Sequence, residues 1–141
     1  MAPSSILAPA CALAGLTFLV LVLIPIVRFR AAFAGRVAAD DFKLGESPRV
    51  PAGVSQVNRN YMNLLEVPLL FYVASITAYL TDVTDRPIVI LAWSYVILRG
   101  VHSLVHITYN NVFHRLTVFA ASNVVLLIIW LRLFQHLFVR R

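Results

Sequence analysis

The sequence predicts an all-α membrane protein, a four-transmembrane-helix bundle forming one domain over residues 1–141. Three observations predict it. Hydrophobic residues make up 60% of the chain and charged ones only 13%, with a mean hydropathy of +0.83. A soluble domain carries about a quarter charged residues, so this chain has too few polar groups to cover a globule in water. The apolar residues gather into four segments of the ~20-residue length that crosses a bilayer. The arginines concentrate at the ends of those segments, where basic residues mark membrane boundaries.

The first segment, about residues 6–27, contains no charge. Its basic residues, Arg28 and Arg30, follow the apolar run instead of preceding it, so a retained helix is expected and not a cleaved leader. Cys11, Ala12, Ala14 and Gly15 are small enough for close helix contact. Cys11 is the single cysteine, which excludes a disulfide within one chain. Residues 28–58 are rich in Pro, Gly and charge (Asp40, Asp41, Lys43, Glu46, Pro48, Arg49, Pro51) and read as a surface loop. The second segment covers about residues 59–80. A tight acidic loop over 81–86 leads to Pro87, suited to the first turn of a helix. The third segment covers about 87–107 and the fourth about 115–138, with a turn over Tyr109 to His114 between them.

Loop charge sets the orientation. Arg28, Arg30, Arg36, Lys43, Arg49 and Arg59 belong to the first loop and its end, and Arg115 with His114 to the third; the second has Asp82 and Asp85 against Arg86. The first and third loops are therefore expected in the cytoplasm and both termini outside, with Arg140 and Arg141 counting the other way. The net charge of +6 comes with no basic run or aromatic–basic ladder, so no nucleic-acid partner is expected.

Ionisable side chains inside a spanning helix are costly and mark function by default. Arg59, Asn63 and Glu66 stand at offsets of zero, four and seven, and Arg99, His102, His106 and Tyr109 at zero, three, seven and ten. Each set lies on one helical face. Gln56 joins the first set if its helix begins inside the loop. At about 1.5 Å per residue, Glu66 lies ~10 Å from the cytoplasmic boundary, Arg99 ~12 Å and His102 ~8 Å. Asn123 falls near the same level. Pro68 is expected to free the carbonyl of Leu64. The polar groups should thus meet in a cavity open to the cytoplasm. For Glu66 and Arg99 alone, a buried ion pair locking the bundle is the competing explanation, but it leaves the other polar groups unaccounted for. His106 alone reads as an interfacial histidine, and Arg132 as a side chain snorkelling to the outer boundary. His102 and His106 have the spacing of a metal pair, with Glu66 as a third ligand for a metal-dependent enzyme. No further Cys or His adds to them, so no metal is expected.

Arginine binds carboxylate as a two-pronged fork, and a buried Glu can hold an ammonium. Arginine beside a thiol favours the nucleophilic thiolate. Such a pocket suits a small thiol peptide, with a lipophilic co-substrate entering from the bilayer.

Arg59-Asn60-Tyr61-Met62-Asn63-Leu64-Leu65-Glu66-Val67-Pro68 resembles the signature that opens the second helix of the MAPEG family. This family comprises membrane-associated proteins in eicosanoid and glutathione metabolism, including the microsomal glutathione transferases. Arg99-Gly100-Val101-His102 with His106, Tyr109 and Arg115 resembles its third helix and following loop, and Arg30-Ala31-Ala32-Phe33 the end of its first. The resemblance implies a homotrimer with glutathione as co-substrate, held between neighbouring subunits on the cytoplasmic side. Arg59, Asn63 and Glu66 would hold the charged ends of the tripeptide, with Arg30 a further carboxylate partner. Arg99, His102, His106 and Tyr109 would line the pocket, and Arg115 matches the catalytic arginine that stabilises the thiolate. The implied reactions are conjugation of lipophilic electrophiles and reduction of lipid hydroperoxides. The short chain is similar to the bacterial branch, which implies the inner membrane. A non-catalytic lipid-binding or scaffold protein is the alternative that the same family implies.

Overall fold

The computed structural model describes residues 3–139. Arg140 and Arg141, which count against the expected orientation, lie outside the described residues, as do Met1 and Ala2. A 3-10 turn leads into α1, Leu7–Phe33. This helix is apolar on every side. Leu13, Val20 and Ile24 are buried, while Phe18, Leu19, Val22 and Phe29 are exposed, as suits a helix facing core on one side and lipid on the other. It runs past its expected end near residue 27 and carries Arg28 and Arg30 on its last turns. Arg28 lies over the Phe42 ring at 4.5 Å and reaches Glu46 at 3.4 Å, so the following loop holds this charge. Gly35, at φ +67°, ends the helix as its neighbour Arg36 donates its N–H back to Ala31 at 2.9 Å.

The loop that follows is folded. Asp41 accepts from the Ala38 N–H at 2.9 Å and the Ser47 hydroxyl at 2.6 Å, and Arg49 stands 3.3 Å away. Phe42 packs on a small apolar cluster of Ala31, Val50 and Val54. The Ala38 N–H, then the Ser47 hydroxyl, then Arg49 lower the Asp41 pKa against the opposing effect of burial. A carboxyl with a lowered folded-state pKa stabilises the fold above its unfolded value, and that contribution disappears as pH falls through the folded value. The protection of amides across residues 37–50 against hydrogen exchange, measured relative to the intrinsic rate at each pH, is therefore expected to hold at neutral pH and to fall below about pH 4. Asp41→Asn should give the lower protection already at neutral pH.

α2, Ala52–Leu65, and α3, Pro68–Leu80, make one membrane span of 29 residues. α2 starts at Ala52, not near Arg59 as expected, because Pro51 fits the entry to a helix and Gln56 finds partners on another helix. The span breaks at Glu66, whose ψ of −90° is not helical, and Pro68 has no N–H to restore the ladder. α4 is Arg86–Ile107, with Pro87 in its first turn. α5 is Val112–Phe134, closed by a wide π turn over Gln135–Val139. Two asparagines make the turn between them. Asn110 takes φ +47°, a conformation asparagine tolerates. Asn111 caps α5, accepting from the N–H groups of Phe113 and His114 at 3.0 and 3.1 Å.

Among the described residues there is no strand, and four helical spans are long and apolar enough to cross a membrane. α1 and α5 stand at opposite corners of the bundle, each packed on α4 and on the α2–α3 span. Phe71 and Tyr95 stack at the centre with ring centroids 4.6 Å apart. Leu64, Ala74, Ala92, Leu126 and Ile129 belong to the same buried cluster. Near one end of α5, Arg132 is paired with Asp85 at 2.9 Å, so a partner on the α3–α4 loop holds this guanidinium.

Candidate functional site

At the end of the bundle that carries the first and third loops, α2, α4 and α5 enclose a cavity of about 420 Å³. Each helix supplies one face. α2 presents Arg59, Met62, Asn63 and Glu66, the polar set expected from the spacing. α4 presents His102 and His106, and the first turns of α5 add Val112, Arg115, Leu116 and Phe119. The tight Asn110–Asn111 turn folds α5 back beside the end of α4. Gln56 pins α2 to the same place, since its amide donates to the carbonyls of His106 and Thr108.

Arg115 is held at both ends. Its backbone carbonyl lies 3.2 Å from His102 Nδ1, and its Nη1 donates to Asn110 Oδ1 at 2.7 Å. A second cavity of about 580 Å³ adjoins the first and shares Arg59, His106 and Arg115 with it. Glu46, Ser47 and Ser55 bring the long loop and the start of α2 to this second space.

Arg99 lies beneath the site and is fully buried. Its Nη2 donates to the carbonyl of Asn63 at 2.5 Å, and its guanidinium carbon sits 5.5 Å from the Phe119 ring centroid. The expected free carbonyl was that of Leu64. The helix already departs from its ladder at Glu66, and the Asn63 carbonyl is the one that Arg99 takes. Glu66 is exposed, and among the described residues it forms no ion pair with Arg99. The buried pair that would lock the bundle is therefore not formed.

Other expected residues separate from the cavity. Tyr109 lies beyond the end of α4, is exposed, and contacts His114 Nδ1 at 3.1 Å. The helix stops at Ile107, so the stripe does not continue to it. Arg30 is exposed on α1 and lines a different hollow with Phe33, Arg36 and Gly53. Asn123 does not line the cavity. The His102 and His106 rings meet edge to face at 5.7 Å. No set of three His, Cys, Asp or Glu side chains converges among the described residues, so Glu66 does not complete a metal-binding trio with them. Met62, Val112, Leu116 and Phe119 are the lining residues that the sequence did not point to. For Met62, Val112 and Phe119 the signal was a spacing of three or four residues from Arg59 or Arg115, which carries apolar neighbours onto the polar face; Leu116, adjacent to Arg115, has no such signal.

The chemistry of the cavity follows from this census. Two guanidinium groups, Arg59 and Arg115, face one carboxylate, Glu66, with the charge of Arg99 below. The balance favours an anionic ligand that also carries a cationic group. The apolar part of the lining, Met62, Val112 and Leu116, is about half exposed.

The MAPEG family model matches residues 6–135, nearly the whole chain. No curated protein and no solved structure matches it.

Proposed function

The chain belongs to the MAPEG family, and from that premise we propose that it is a glutathione-dependent transferase or peroxidase. It acts on lipophilic electrophiles or lipid hydroperoxides. One observation carries the proposal: a single cavity joins Arg59, Arg115 and Glu66 to an apolar wall of Met62, Leu116 and Phe119. Arg59 forks onto a carboxylate of glutathione, and Glu66 receives its ammonium. Arg115 stabilises the thiolate, with the proton released to water. The sulfur then attacks the electrophilic carbon, an S–C bond forms, and the leaving group departs with the electron pair. With a hydroperoxide the sulfur attacks the terminal oxygen, the O–O bond breaks as the alkoxide leaves and takes a proton to become the alcohol, and a second glutathione thiol displaces water from the resulting sulfenic acid to close the disulfide.

The assembly in this reading is a homotrimer in a bacterial inner membrane. The cavity end faces the cytoplasm, where glutathione is dissolved, and both termini lie outside. His102, His106 and Arg99 shape the floor of the site, while Arg30 and Tyr109 serve it only through a neighbouring subunit or a change at the α4 end.

Purified protein in detergent is expected to bind glutathione in calorimetric titration, and Glu66→Ala to weaken that binding about tenfold, the loss of one charge-assisted hydrogen bond. Absence of binding at millimolar glutathione would end this reading. The apolar wall also favours a second one, a non-catalytic lipid-binding protein. Co-purifying lipid without thiol affinity would support it.

A further inference from the structure

We propose that Asn110 is a positioning residue for Arg115, fixing its guanidinium with a neutral acceptor so that the charge remains available to a bound thiolate. The inference rests on the glutathione reading of the site and deepens it. Three contacts converge on this turn. The Asn110 N–H donates to the Val105 carbonyl at 2.8 Å and so closes the end of α4. Its side-chain Oδ1 accepts from Arg115 Nη1 at 2.7 Å, five residues later. Asn111 then caps the helix on which Arg115 stands. The turn and the arginine are thus built as one unit.

The identity of the acceptor matters. Glycine would satisfy the backbone at φ +47° but leave the guanidinium free to rotate. Aspartate would hold it as firmly and offset its charge, because a carboxylate within hydrogen-bonding distance stabilises the cation at the expense of any second anion. An asparagine amide orients without neutralising. Arg115 lines both adjoining cavities, so a freely turning side chain would divide its time between them. Nothing else fixes its guanidinium among the hydrogen bonds of the described residues.

The test compares wild type, Asn110→Gly and Asn110→Asp by the ultraviolet absorbance of bound glutathione thiolate as a function of pH, with binding followed by calorimetry. Both variants keep a backbone compatible with the turn, which circular dichroism and thermal unfolding would check. Binding should change little in Asn110→Gly. Its thiolate midpoint is expected to move to higher pH by about one unit, a tenfold loss of thiolate at fixed pH, and the Asn110→Asp midpoint further. Wild-type midpoints in both folded variants would overturn the role of Asn110 and leave the glutathione reading intact. A wild-type protein that binds no glutathione would overturn that reading, and this inference with it. A variant that unfolds would assign Asn110 to the turn alone and also overturn the inference.

Discussion

Arg59→Ala is expected to weaken glutathione binding about tenfold to a hundredfold, as loss of a charged, two-pronged hydrogen-bonding partner does. Arg59 stands where the two cavities meet, so no other α2 side chain can take over its position. It is also exposed, and its removal should leave helix content and unfolding temperature close to wild type. Arg59→Lys should recover part of the affinity, because the charge remains and the fork is lost. Calorimetry on the three proteins checks this. Equal affinities would place the ligand carboxylate elsewhere.

The largest stability effect is expected at Phe71. Its side chain is 1% exposed and stacked on Tyr95. Phe71→Ala should cost about 3–5 kcal/mol, the range for deleting a buried aromatic whose neighbours relax only in part. The buried cluster to which the ring belongs includes the small side chains Ala74, Ala78 and Ala92, all fully buried. They have little side chain to move into the space. Thermal unfolding in detergent measures the loss, and Phe71→Leu should show a smaller one. Exposed Phe18, on the outer side of α1, gives the contrasting case in which lipid or detergent fills the vacancy.

The fold was legible because length and hydropathy are properties of segments, and an apolar run of about 20 residues satisfies its backbone in a bilayer as a helix. The start of α2 was less so. Residues 52–58 are polar enough to resemble loop, whereas the backbone is helical from Ala52 and Gln56 ties that turn to the end of α4, a long-range contact that local composition does not reveal. The Arg59, Asn63 and Glu66 face was readable from offsets alone, since helical geometry is local. Tyr109 was not, because its place on the stripe assumed two more helical residues, and the chain turns at Thr108. Arg30 shows the same limit in another form. Its helix is apolar on all sides, so no pattern states which way a charge at its end points. Pro68, having no N–H, leaves the Leu64 carbonyl without its helical donor as expected, but that Arg99 takes the Asn63 carbonyl depended on Glu66 leaving the helical region.

The buried position of Arg99 has a consequence for ionic strength. Mobile ions screen charges that water reaches, over about 8 Å in physiological salt, and reach an interior charge far less. Arg59 is bathed by the solution, and its attraction for an anion fades as salt is added. Arg99, held against the Asn63 carbonyl at no exposure, acts from behind the wall of the site. Its field is a fixed background potential that the composition of the surrounding electrolyte barely alters. An anion arriving at this protein therefore meets two attractions, one set by the medium and one set by the fold.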